Sequence, residues 1–163
     1  DIIQLSRLDE NSTQFQRAPV DLYALCAQSI ERLSPVAARQ SVTLALTGEH
    51  AEIEGVEQLL KEMIYNLLDN AIKYNVPGGS VTASVRKSVG RTILSVADTG
   101  IGIPYAHQPR VFERFYRVDK SHSKEVGGTG LGLSIVRHAA QYHGARLELK
   151  SQPGKGTTIT VTF

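Results

Sequence analysis

Asn66, Asn70 and Lys73 fall at i, i+4 and i+7 in the segment Asn66-Leu67-Leu68-Asp69-Asn70-Ala71-Ile72-Lys73-Tyr74. On a helix that spacing stacks the three side chains along one face. The rest of the segment is mostly apolar. A helix that needed only burial would not place an amide there twice, because each buried amide must find partners or bear its desolvation. A polyphosphate carrying Mg²⁺ meets the requirement, with amide oxygens as hard ligands and the lysine on phosphate oxygens. Two internally satisfied amides beside a solvated lysine meet it as well, and the segment alone does not separate these readings.

Asp98-Thr99-Gly100-Ile101-Gly102-Ile103 ends a strand that is apolar at Ile93, Leu94, Val96 and Ala97. A carboxylate at the mouth of a core needs a donor, and the glycines permit close approach of the backbone to a ligand. The exocyclic amine of an adenine would serve; so would a local Asx turn. Gly127-Gly128-Thr129-Gly130-Leu131-Gly132-Leu133-Ser134 runs straight into a helical pattern. Free N–H groups and the positive dipole end at such a helix start form a phosphate cradle, or the glycines make a plain hinge. The run lacks the Gly-Lys-Ser/Thr of a P-loop, and no strand directly precedes it. Between the two clusters, Phe112-Glu113-Arg114-Phe115-Tyr116-Arg117 offers aromatics to dock a mobile loop and arginines to reach phosphates. A small satellite core with solvated charges explains it equally well. Gly154-Lys155-Gly156-Thr157 reads as a turn. The five histidines have no zinc spacing and suggest no Ser-His-Asp arrangement.

These residues need elements to position them. Asp1 to about Asn11 reads as the end of a helix whose partner is absent, and Phe15 to Val20 as a short strand. Asp21 is a candidate N-cap for a helix with Leu22, Leu25, Cys26, Ile30, Leu33, Val36 and Ala37 at helical spacing. Val42, Leu44 and Leu46 alternate with polar or small residues as in a half-buried strand, and a short strand surrounds Ile53. The amide-bearing helix spans Val56 to about Tyr74 and stops before the turn Val76-Pro77-Gly78-Gly79. Val81, Ala83 and Val85, a turn at Val89-Gly90, and Thr92 to Ala97 form a hairpin pattern. A long functional loop from Asp98 to Gly130 is expected to hold one short helix near Pro109 to Tyr116. A helix from about Leu131 to His143 closes on Gly144, and two alternating strands end the chain. Strands and helices mix without strict βαβ order, which predicts an α+β fold with a mixed sheet and helices on one face.

At 163 residues the chain suits one domain with a well-formed core. A formal charge of +2 is too small to make nucleic acid the main partner. The single cysteine, Cys26, excludes an internal disulfide and favours a cytosolic setting. Its place on an apolar stripe predicts an inert thiol. No run reaches transmembrane length and no signal peptide opens the chain; a membrane-bound parent is compatible, since the chain starts within a helix.

In this order the motifs resemble those of the ATP-binding catalytic domain of bacterial sensor histidine kinases, within the group of gyrase-like, Hsp90-like and MutL-like ATPases. The resemblance covers residues 12–163. It implies a Bergerat-type two-layer α/β sandwich, a mixed and mainly antiparallel sheet covered on one face by three helices, with a long ATP lid. Its cofactors would be ATP and Mg²⁺. Asn70 resembles the principal Mg²⁺ ligand, assisted by Asn66; Lys73 and Tyr74 would contact phosphates or ribose. Asp98 would accept from the adenine amine, with Gly100, Gly102 and Ile103 around the base. Arg117, with Arg114 as the alternative, would reach the γ-phosphate. Thr129, Gly130, Leu131 and Gly132 would hold the phosphates, and Thr157 belongs to the last glycine-containing turn. Asn66, Lys73 and Arg117 would carry catalysis.

Residues 1–11 resemble the end of the second helix of the dimerisation domain. None of the five histidines has the sequence context of the phosphoacceptor. The expected partners are therefore a dimerisation and phosphoacceptor domain outside this chain, and a response-regulator receiver domain. The full-length protein would be a homodimer with its catalytic portion in the cytoplasm, and this fragment a monomer. Hydrolytic relatives place a glutamate that activates water four residues before the metal-binding asparagine. Here that residue is Asn66, which cannot act as a general base. A hydrolytic ATPase module and a non-catalytic nucleotide-binding scaffold are the alternatives to a kinase.

Overall fold

A computed structural model describes residues 16–117 and 131–163. The expected N-terminal helix end therefore lies outside the described residues. Strand β1 (Ala18–Asp21) leads directly into helix α1 (Leu22–Arg39), and Asp21 makes the transition. Its Oδ1 accepts from the N–H groups of Tyr23 and Ala24 at 3.0 and 3.2 Å, the N-cap read from the sequence. Phe15, the expected start of this strand, lies outside the described residues. The strand pairs antiparallel with β3 (Glu52–Gly55) as a small separate sheet.

The main sheet has five strands in the order β2 (Thr43–Gly48), β4 (Ser80–Ser88), β5 (Arg91–Asp98), β7 (Gly156–Thr162), β6 (Arg146–Gln152). Only β2 and β4 run parallel; every other neighbour is antiparallel. Register places Ala83, Val96 and Ile159 in one row and Val85, Leu94 and Val161 in the next, and all six are buried. The opposite face carries Ser84, Ser95 and Thr160 in register, the period-2 alternation of a sheet covered on one side. Helices α1, α2 (Glu57–Lys73) and α3 (Gly132–Tyr142) supply that cover. Cys26 is fully buried on α1; burial, with a lesser push from Asp21, lifts its thiol pKa to about 12, so it is inert as expected.

Helix α2 explains how one face serves both core and site. Leu59, Met63, Asn66, Asn70 and Lys73 follow one another along it. Leu59 and Met63 are buried, whereas Asn66, Asn70 and Lys73 are half-buried. Helix α3 packs beside α2. The face turns from apolar to polar where α3 begins.

The far end of that helix pair is tied by His143. Its Nδ1–H donates to Ala139 O at 2.7 Å, and its Nε2 accepts from Val56 N–H at 3.0 Å. The ring must be neutral for both bonds to exist. Burial, joined by Arg17, holds its pKa below the usual histidine range against the opposing Ala139 bond. The folded pKa lies below the unfolded one, so this contribution is complete above the unfolded value near 6.5. It is lost as pH falls through that value towards the folded pKa. The melting temperature should therefore fall between about pH 7.5 and about pH 5.5. His143→Ala should cost about 1–3 kcal/mol through the orphaned Val56 N–H and flatten the dependence. An unaltered slope in the variant would remove His143 from this role.

Candidate functional site

Of the expected site residues, Tyr74, Asp98, Gly100, Gly102, Ile103 and Thr157 meet where β5 ends, β7 begins and α2 stops. Asp98 follows Leu94 and Val96 on the helix-facing side of β5, so its carboxylate enters the layer between sheet and helices. Asp98 Oδ1 accepts from Gly100 N–H at 2.9 Å and Thr157 N–H at 3.2 Å. No described residue donates to its other oxygen. Burial raises the Asp98 pKa, and the bonds from Gly100 and Thr157 oppose that rise. The Asx turn read from the sequence is therefore present at one oxygen; the other has no described donor.

Gly100 and Gly102 are required by contact. A Cβ at Gly100 would lie 2.3 Å from Tyr74 O, at the C-cap of α2. The neighbouring Ile101 N–H donates to that same carbonyl at 3.1 Å. This joins the amide-bearing helix to the glycine turn. Gly102 has φ +72°, and its Cβ would meet Gln152 O at 2.1 Å. Ile103 N–H donates to Ser151 Oγ at 2.8 Å, and Ser151 Oγ also reaches Thr157 Oγ1 at 2.8 Å. Gln108 Nε2 donates to Ile103 O and Ser151 O at 2.9 and 3.1 Å. Ser151 and Gln108 escaped the sequence reading: they act across 48 and 43 residues, and neither lies in a glycine cluster.

On α2, Asn66 Nδ2 donates to Glu62 O at 2.7 Å. Its Oδ1 lies 3.4 Å from where a Cβ of Gly132 would sit, so the amide oxygen faces the start of α3. That start has no side-chain cap, and its first helical bond is Ile135 N–H to Leu131 O. The N–H groups of Gly132, Leu133 and Ser134 precede it and have no intrahelical acceptor. Asn70 makes no side-chain hydrogen bond to a described residue. Lys73 pairs with Asp69 at 3.0 Å, an i,i+4 contact. Asn66 and Asn70 thus bring to one helix face neutral oxygens that accept from no described donor, a donor set that fits Mg²⁺.

The expected short helix at Pro109 to Tyr116 is displaced. A 3₁₀ turn occupies Tyr105–Arg110 and turns follow it. Pro104 starts the helix at φ −55°, and Pro109, without an N–H, tolerates the short element better than the interior of an α-helix. Val111 is buried and Phe112 packs on the core, whereas Phe115 is 60 % exposed. The aromatic pair therefore divides, one ring inward and one outward. Arg117 is half-buried and Arg114 exposed. Leu131 is buried. Thr129 and Gly130 lie outside the described residues. No helix among the described residues is long and apolar enough to cross a membrane.

Residues 55–163 match the profile of histidine kinase-, DNA gyrase B- and HSP90-like ATPases. Sensor histidine kinase YkoH of Bacillus subtilis is 42% identical over 144 residues, which cover 88% of this chain and 31% of YkoH. The chain thus spans less than a third of that relative. Among solved structures, the mycobacterial sensor histidine kinase MprB superposes with TM-score 0.76 at 32% identity, covering 90% of this chain and 96% of that one. Full-length ShkA in complex with AMPPNP superposes with TM-score 0.84 at 28% identity, covering 99% of this chain and 34% of ShkA.

Proposed function

The chain belongs to the histidine kinase-, DNA gyrase B- and HSP90-like ATPase family, and from that premise we propose that it is the ATP-binding catalytic domain of a two-component sensor histidine kinase. It transfers the γ-phosphoryl group of ATP to a histidine on a separate dimerisation domain, for onward passage to a response-regulator aspartate. The parent acts as a homodimer, with this domain on the cytoplasmic side. The observation that carries the reading is the meeting of three motifs at one end of the sheet. Asp98 sits over the Gly100 turn, that turn is bonded to Tyr74 at the end of α2, and Gly132 opens α3 beside Asn66.

The roles follow from the chemistry of each group. The free oxygen of Asp98 accepts from the adenine exocyclic amine, while Gly100, Gly102 and Ile103 present backbone to the base. The uncapped N–H groups at Gly132 and beyond, with the preceding Thr129 to Leu131, receive phosphate oxygens at the positive end of α3. Asn70, assisted by Asn66, holds Mg²⁺, which when bound neutralises phosphate charge. Lys73 turns from Asp69 to the phosphates, Tyr74 adjoins the ribose, Thr157 fixes Asp98, and Arg117 or Arg114 reaches the γ-phosphate.

Catalysis is then positioning and charge neutralisation for an incoming imidazole. Asn66 stands where a hydrolase carries its base, which disfavours a water-directed ATPase. The test supplies γ-labelled ATP with and without the phosphoacceptor domain of the same parent. Label should appear on the acceptor only when both are present, with slow release of inorganic phosphate. Label on this chain alone, or rapid phosphate release, would sink the proposal.

A further inference from the structure

The segment carrying Arg114 and Arg117 is held in an unfavourable backbone conformation by contacts that the proposed mechanism does not use. Phe115 has φ +62°, a region that bulky L-residues avoid, and its ring gains little there, being 60 % exposed. The residues on either side supply the restraint. The hydroxyl of Tyr116 is hydrogen-bonded to His107 Nδ1, with the rings tilted at a centroid distance of 5.8 Å. The Arg110 guanidinium lies 4.5 Å from the centre of the Tyr116 ring, and Arg110 Nε donates to Glu113 Oε2 at 3.0 Å. His107 is itself fixed: its N–H donates to Pro104 O at 2.9 Å, and the adjacent Gln108 is anchored to Ile103 and Ser151 beside the Asp98 turn.

We infer that His107 and Tyr116 form a latch that positions Arg117, holding Phe115 in its strained turn and referencing the phosphate-facing arginine to the base pocket. His107 is a positioning residue. It acts through Tyr116, because a strained backbone persists only where its surroundings over-determine it. Releasing Tyr116 lets Phe115 return to an ordinary conformation, which redirects the chain immediately before Arg117. An incidental surface contact would have none of these consequences. The functional half of this inference rests on the proposed γ-phosphate role of Arg117.

The test compares affinities for Mg·AMPPNP and Mg·ADP, whose ratio isolates the γ-phosphate contact, together with amide hydrogen exchange over residues 112–117. His107→Ala and Tyr116→Phe should each lower the ratio about fivefold, as expected for losing one hydrogen bond. ADP affinity should hold and exchange over 112–117 should rise. His107→Asn, which returns a polar atom near the Nδ1 position, should recover most of the ratio. Equal weakening of both nucleotides, or unchanged exchange in the latch variants, overturns the inference. Arg117→Ala separates the two layers: if it leaves the ratio intact, the phosphate reading of Arg117 fails and the positioning role falls with it, whatever the exchange data show.

Discussion

Asp98→Asn should abolish useful adenine-nucleotide binding, weakening ATP by at least about 100-fold, while the domain stays folded. Asp98 Oδ1 already serves the N–H groups of Gly100 and Thr157, and an asparagine carbonyl can keep both. The amide nitrogen must then occupy the other position, where it would confront the adenine amine donor to donor. Buried polar groups left facing the wrong partner exact a larger penalty than a missing methyl group. Asp98→Ala should lose binding as well, but with a stability cost of about 1–3 kcal/mol because two N–H groups lose their acceptor.

Calorimetric titration with ATP and with ITP distinguishes the readings. Wild type should prefer ATP, whereas Asp98→Asn should lose the preference, since ITP presents a carbonyl that an amide can serve. Unchanged ATP affinity in Asp98→Asn would remove Asp98 from the base pocket. Because burial raises the Asp98 pKa, nucleotide affinity should also fall on acidification at a higher pH than an exposed aspartate would produce.

The elements of this fold were legible where side-chain period and burial agree. The alternation of Val81, Ala83 and Val85, and of Ile159 and Val161, matches the buried face of the sheet, and Asp21 caps the helix expected of it. The Val89-Gly90 turn was also readable, although Val89 adopts φ +49° at a position that normally takes Asn or Gly; Gly90 and the flanking strands override the local preference. The helix expected at Pro109 to Tyr116 lies earlier, at Tyr105–Arg110. The chain there is governed by Pro104 and by tertiary anchors instead. The site divides in the same way. Motifs with unusual local composition singled out Asn66, Asn70 and Asp98 as candidates. Their supports were not singled out, because Ser151 and Gln108 acquire their roles only when distant segments meet. A serine in Leu149-Lys150-Ser151-Gln152 carries no local mark of the turn it will hold.

Asn70→Ala should produce the opposite balance of stability and function from a core substitution. The Asn70 side chain is half-buried and bonds to no described residue, so truncation orphans no partner there. Alanine also has the higher helix propensity, by about 0.5 kcal/mol. The melting temperature should therefore hold or rise slightly. Phosphotransfer to a supplied acceptor domain should nevertheless drop by about 100-fold or more, because the amide oxygen proposed to hold Mg²⁺ is gone. The gain in ATP affinity on adding Mg²⁺ should shrink with it, a readout independent of turnover. Asn66→Ala differs physically, since Asn66 Nδ2 serves Glu62 O; its functional loss should come with some loss of stability. A residue kept at a cost to the helix and needed for transfer is the signature of a functional site. A fall of several degrees in the Asn70→Ala melting temperature would assign that amide to structure, and undiminished transfer would remove it from the site.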